Sequence, residues 1–97
     1  MINQVLIDLN LPALQDDLFE LDGNEYRQVA KVLKKIKAMT WDEIYHDHGL
    51  KWEVVKNTTG IYTIRLSRGS RALVARDGNA MRFIAIRSDH DNAYGKK

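Results

Sequence analysis

The sequence predicts an α+β domain in which two helices and a short third pack on one face of an antiparallel sheet, leaving the other face open. Three observations lead there. Apolar and polar residues alternate near the start of the chain and again from residue 62 to residue 88, which is the period of half-buried strands. Between these regions the apolar residues recur at helical spacing. Two glycine-containing turns then divide the second strand region into a meander. A chain of 97 residues is long enough for one modest core and too short for two, so a single domain over residues 1–97 is expected.

"QVLIDLNLP" sets Val5, Ile7, Leu9 and Leu11 at alternate positions of a first strand, which Pro12 ends because it has no N–H to give. In "PALQDDLFELD" the spacing of Leu14, Leu18 and Leu21 is helical, with acidic residues in the early turns where the helix dipole favours them. Gly23-Asn24 breaks that helix, and Asn24 is placed to cap a longer one. There Tyr26, Val29, Ala30, Leu33 and Ile36 form the apolar stripe, and Arg27, Lys31, Lys34 and Lys35 face solvent. "TWDE" is a capping box for a short third helix carrying Trp41, Ile44 and Tyr45. "HDHGLKWEVVKNTTG" reads as an ordered connection with a short strand at 52–55. In "GIYTIRLSRG" Tyr62, Ile64 and Leu66 share one face and Thr63, Arg65 and Ser67 the other; "SRALVARDGN" and "AMRFIAIRS" supply two more strands. Arg68-Gly69-Ser70 and Asp77-Gly78-Asn79 are the hairpin loops between them.

The absence of cysteine excludes disulfides, a thiol nucleophile and cysteine-ligated zinc. No apolar run approaches the ~20 residues that span a bilayer. Met1-Ile2-Asn3-Gln4 lacks the basic start of a signal peptide, so a cytoplasmic protein with no membrane partner is expected. The net charge of +2 conceals a gradient: residues 1–23 carry Asp8, Asp16, Asp17, Glu20 and Asp22 with no Lys or Arg, whereas residues 49–97 carry ten basic and four acidic side chains. Such polarity suits either a surface that meets phosphates or a plain solvated sheet face.

The outward positions of the meander include Arg65 on its first strand, with Arg71 opening the next and Arg87 closing the last. Three guanidinium groups are therefore expected on or near the open face, where their planar forks match phosphate oxygens. After Arg87, Ser88 is placed to cap a short helix with Asp91 three residues on, and His90 and Tyr94, four apart, then share a face. RNA cleavage requires removal of the 2′-OH proton, stabilisation of a pentavalent phosphorane and protonation of the leaving 5′-oxygen. A cation clamp, an imidazole and a phenol match those tasks without a metal or a small-molecule cofactor. The spacing of His46 and His48 fits no recognised metal site even with His90 added.

Each residue also has a plainer role. His90 can be a surface or capping residue, as His46 and His48 are taken to be, and Tyr94 can seal the core with its ring. Arg76 and Arg82 alternate out of phase with the clamp and are expected to be solvated. Trp41 and Trp52 are expected in core or rim packing, although an exposed Trp52 near Lys51 and Lys56 could stack on a base.

"YTIRLSRGSRALVARDGNAMRFIAIRSDHDNAY" resembles the C-terminal half of the RelE/ParE superfamily of bacterial toxins. The matching pattern is a basic strand, an arginine near the start of the next strand, a β-hairpin, and a last apolar strand ending in a basic or histidine residue with Tyr soon after. The leading strand and helices fit the same fold. The resemblance implies the toxin of a type II toxin–antitoxin system, an mRNA interferase working on the ribosome, which cuts by 2′-OH attack without metal and leaves a 2′,3′-cyclic phosphate. It further implies that Arg65 binds the RNA backbone, Arg71 stabilises the transition state, and His90 and Tyr94 belong to the catalytic set with Arg87; Arg68, Lys51 and Lys56 are additional RNA contacts. Thr63 stands where a second lysine is common, and the stretch 40–57 is long for the family, so the general base stays open. A cognate antitoxin is the implied protein partner, laying a helix or extended segment over the basic face. The acidic first 23 residues could imitate it in cis, although an acidic outer helix needs no such purpose. Two other functions share the fold or the charge: a ParE-like inhibitor of DNA gyrase, against which Arg71, His90 and Tyr94 speak, and a non-enzymatic RNA-binding module.

Overall fold

A computed structural model describes residues 4–88. Along the chain the elements are β1 (Leu6–Asp8), α1 (Pro12–Phe19), α2 (Gly23–Lys37), α3 (Trp41–His46), β2 (Glu53–Val54), β3 (Tyr62–Ser67), β4 (Ser70–Asp77) and β5 (Ala80–Ser88). They form one five-stranded sheet in the order β1-β5-β4-β3-β2. The sheet is mixed where the sequence predicts an antiparallel one. After a helical excursion β1 lies parallel to β5, while β2 through β5 are antiparallel to their neighbours.

The helices sit on one face as expected. Ile64, Leu66, Ala72, Val74, Met81 and Phe83 from the sheet meet Leu14 and Leu18 of α1, Val29 and Ile36 of α2, and Trp41 and Ile44 of α3. Burying side chains of this kind stabilises by about 1.5–3 kcal/mol each and dominates the fold's energetics.

Local chemistry shifts several boundaries. The first strand stops at Asp8, whose carboxylate accepts the Asn10 N–H at 3.0 Å and turns the chain. Pro12 opens α1 instead of merely ending a strand, because its fixed φ and missing N–H cost nothing in the first helical turn. The first turn of α1 contains no acidic residue; Asp16 and Asp17 come a turn later. Asp22, not Asn24, caps α2, accepting the Glu25 N–H at 2.8 Å. Along α2 Val29 and Ile36 are buried and Leu33 packs against the core, but Tyr26 is exposed. The capping box of α3 forms in full: Glu43 N–H donates to the Thr40 hydroxyl at 3.2 Å, and Thr40 N–H donates to the Glu43 carboxylate at 2.9 Å.

Two contacts fix α3 and its exit. The buried Trp41 indole N–H donates at 3.0 Å to the carbonyl of Asn79, in the turn between β4 and β5, and that carbonyl also accepts Leu6 N–H at 2.9 Å. Beyond α3, the Asp47 carboxylate accepts Leu50 N–H at 2.9 Å and the Lys35 ammonium at 3.1 Å, tying the end of α2 to the connection that buries Leu50. Partial burial pushes the Asp47 carboxyl up, but the Leu50 hydrogen bond and Lys35 outweigh it and hold the group below its ordinary value. A depressed folded-state value means stability that is present above ~4 and lost as pH falls through the lower folded value. Asp47→Asn is therefore expected to lower stability by about 1–2 kcal/mol at neutral pH and to flatten the acid limb of a denaturant-midpoint titration.

Candidate nucleic-acid interface

Register determines what the open face presents. Arg65 of β3 lies directly opposite Arg71 of β4, and Arg71 directly opposite Arg87 of β5. The three arginines thus form one row across adjacent strands, about 10 Å from end to end at the usual strand spacing. Arg65 and Arg87 are exposed and Arg71 is half-buried. The next outward row is Thr63, Leu73 and Ala85, so the cations stand at the edge of a low, small-residue floor.

A β-bulge places Arg87 in this row. Val74 pairs with Phe83, but Leu73 pairs with Ala85, leaving Ile84 as the extra residue of β5. Strict alternation from the buried Met81 and Phe83 would turn Arg87 to the core side; the bulge returns it to the open face. The same bulge corrects the expectation for Arg82. It shares the outward face and is not simply solvated: its guanidinium bonds Asp8 at 3.3 Å and Asp77 at 2.8 Å. The hydrogen bonds it donates to those carboxylates hold its pKa above the ordinary value. Arg76 is out of phase, as expected, but on the helix side it is fixed instead of solvated. Its guanidinium lies 4.4 Å over the Trp41 ring, and it donates to the Tyr45 hydroxyl and the Gly78 carbonyl, both at 2.7 Å.

Lys51 belongs with the row. Arg65 N–H donates to the Leu50 carbonyl at 2.7 Å, so the chain entering β2 runs beside β3 at the level of Arg65. Arg68 is exposed in the β3–β4 turn, next to the end of the row. Lys56 is not gathered in; it lies in the turn before Tyr62, at the opposite end of β3. Trp52 is half-buried and stacked on Tyr62 at 4.5 Å, with Trp41 and Tyr45 against its edges, which makes it rim packing and not an open platform. The assignments to His90, Tyr94 and the capped helix after Ser88 lie outside the described residues; Ser88 itself ends β5.

Sequence reasoning missed Glu53. It pairs with Thr63 on the sheet's edge strand, and its carboxylate lies 3.7 Å from the Arg71 guanidinium. Among the described residues it is the carboxylate ion-paired with the row. Its signal in the sequence was its alternation with Lys51 in "KWE", legible only once β2 is known to pair with β3. On the other side of the sheet a cavity of about 270 Å³ lies between the helices and the ends of β4 and β5, lined by Asp17, Glu20, Glu25, Ser70, Ile86 and Ser88 among others. Asp17 of α1 and Glu20 just after it are therefore on the face opposite the arginines, not over them as imitation of an antitoxin would require.

No protein-family model matches the sequence, and no curated protein resembles it significantly. The solved structures supply the likeness. A chain of the RelB–RelE antitoxin–toxin complex from Methanococcus jannaschii superposes with a TM-score of 0.66 at 14% identity, covering 95% of this chain and 98% of the other. The archaeal RelE–RelB complex from Pyrococcus horikoshii gives 0.66 at 10% identity, covering 91% and 97%. The YoeB dimer from Staphylococcus aureus gives 0.55 at 21%, covering 84% and 93%. The chain thus has the RelE-like fold over nearly its whole length.

The two arginine environments separate in experiment. Arg65→Ala is expected to leave stability unchanged or slightly raised, because it relieves a like-charge cross-strand pair. It should also reduce the salt dependence of binding to a single-stranded RNA by about 0.7 in log–log slope. Arg76→Ala is expected to cost about 1 kcal/mol of stability and to leave that slope alone. Chemical denaturation and a binding titration at several salt concentrations provide both readouts.

Proposed function

We propose that this chain is the toxin of a type II toxin–antitoxin pair, an endoribonuclease that cuts mRNA, on the ribosome, without a metal. The row of Arg65, Arg71 and Arg87 carries this reading. Like charges directly opposite one another in a sheet are destabilising, and this chain places two such pairs side by side, with Glu53 the one carboxylate among the described residues that is ion-paired with the row. A phosphodiester laid across the row satisfies them. The RelE-like fold supports the toxin class.

In the reaction, the 2′-oxygen attacks the adjacent phosphorus as its proton passes to a base. Negative charge develops on the non-bridging oxygens of the phosphorane. The P–O5′ bond then breaks, with a proton delivered to the leaving oxygen, giving a 2′,3′-cyclic phosphate and a 5′-hydroxyl. Arg71, central and half-buried, is assigned to the developing charge. Arg65 and Arg87 hold the backbone on either side, Arg68 and Lys51 extend the contact, and Lys56 meets RNA only if the strand runs the length of β3. His90 and Tyr94 follow Arg87 by three and seven residues in the sequence and are assigned to proton transfer. Glu53 is the other group able to take the 2′-OH proton, since it stands beside Arg71. The partner is an antitoxin that shields the arginine row.

Expression without an antitoxin is expected to arrest growth through translation, with cut mRNA detected by primer extension on a reporter. Stalled gyrase with intact mRNA would instead identify a ParE-like inhibitor, and neither effect a binding module. Arg71→Ala is expected to lower cleavage by about 10²–10³-fold with the fold intact. His90→Ala and Tyr94→Phe should each slow cleavage, with a double mutant only slightly worse than the more impaired single mutant. Loss of the neutral-pH limb in His90→Ala would assign the base to the imidazole, whereas cleavage abolished in Glu53→Gln with the limb kept in His90→Ala would assign it to the carboxylate.

A further inference from the structure

We infer that Asp17 of α1 is a positioning residue for Arg87, which it serves by holding the unpaired edge of β5; the inference rests on the clamp reading above. β1 covers β5 only as far as the pair Asp8 and Arg82. From Phe83 onward β5 has β4 on one side and, among the described residues, no strand on the other. A strand end of this kind is held by half its usual ladder, and here it follows directly on the bulge at Ile84, where the ladder is already interrupted. Arg87 is exposed and the last member of the row, so its placement depends on the backbone of this segment.

Asp17 supplies the missing ladder bond. Its carboxylate Oδ2 accepts the Ile86 N–H at 2.9 Å, across 69 residues of sequence and in a partly buried setting. It reaches across from α1, which packs on β5. Leu14 and Leu18, on either side of Asp17, are buried in the core and fix the helix from which it extends. The contact lies on the helix side, where Ile86 packs against the core, whereas Arg87 projects to the open face. Asp17 therefore acts on the clamp through the backbone, without touching RNA. A charge-assisted bond to a backbone N–H is among the stronger hydrogen bonds, and it sits one residue before the guanidinium it orients. Displacement of a catalytic cation by about 1 Å can cost up to a hundredfold in rate.

The test is a double-mutant cycle in the full-length chain, read by RNA cleavage and by binding of a single-stranded RNA oligonucleotide. Asp17→Ala is expected to lower kcat roughly ten- to a hundredfold with a smaller effect on KM, and Asp17→Asn to restore it, because the amide oxygen can accept the same N–H. In the Arg87→Ala background, Asp17→Ala should add no further loss. Additive losses, or an Asp17→Asn variant as impaired as Asp17→Ala, would overturn the inference by making Asp17 an independent stabiliser or a source of charge alone. Should Asp17→Ala not fold, amide exchange of the wild-type chain decides: Ile86 N–H should exchange as slowly as interior ladder amides, and exchange at the rate of an exposed loop amide overturns the bond. A wild-type chain that binds the oligonucleotide but cuts no mRNA, free or on the ribosome, fails the nuclease reading and leaves the cycle readable by affinity.

Discussion

The register of β3, β4 and β5 is the constraint on which both sides of this molecule depend. Two tight turns set it, with Ser67 opposite Ser70 at one end and Asp77 opposite Ala80 at the other, where Gly78 takes the positive φ of 61° that the turn demands. Both turns alone would not align the arginines. Counting from the Asp77–Ala80 pair without interruption sets Arg71 opposite Ile86 and brings Arg87 to the core side. The extra residue at Ile84 absorbs the mismatch, so one strand buries Met81, Phe83 and Ile86 while exposing Arg82 and Arg87. β1 ends opposite Arg82, before the bulge, and the end of β5 is held by α1.

Two arginines five residues apart on β4 show how face decides role. Arg71 looks outward among other cations and, among the described residues, has one carboxylate within 4 Å. Arg76 looks toward α3, where a tryptophan face, a tyrosine hydroxyl and a backbone carbonyl occupy it. The second arrangement closes the rim of the aromatic group formed by Trp41, Tyr45, Trp52 and Tyr62 and contributes to stability. The first opposes it. Arg82 lies between these cases, outward-facing but neutralised by Asp8 and Asp77, and the exposed positive charge is thereby concentrated at the Arg65–Arg87 end of the sheet.

Much of this was legible in the sequence because it depends on short-range rules. The period-two run after Gly60, the turn residues, and the Thr40–Glu43 box each specify their local structure, and together they give the meander, its inward face and α3. The outward placement of Arg65 follows from its own strand. What was not legible depends on pairing between distant segments. Nothing in "NLPAL" reveals that β1 will lie parallel to β5, and nothing in "RFIAI" marks which residue is extra, so Arg82 was assigned to the wrong phase. Arg76 was assigned to solvent because its aromatic partner lies 35 residues away in sequence, on α3. Glu53 escaped notice for the same reason: its relation to Arg71 exists only through β2–β3 pairing.

On the reading proposed above, rigidity explains why a small domain would build an anion clamp from strands. A guanidinium on a loop must be ordered when its ligand binds, at a cost in conformational entropy for backbone and side chain alike. Here β4 is flanked on both sides by neighbouring strands along the row and β3 by β4 and the chain at Leu50, and their Cα positions are set before any ligand arrives. The weak member is Arg87, whose strand has no second strand beside it among the described residues. The contact between Asp17 and Ile86 makes the row equivalent at both ends, because the connection through Leu50 supports Arg65 with a backbone bond just as α1 supports β5 with a carboxylate. Each terminal arginine is thus held by a segment that is not a strand of the sheet at that level. A site stiffened this way can keep three like charges in register without a ligand, and on the reading proposed above binding energy then goes to the phosphorane and not to assembling the clamp.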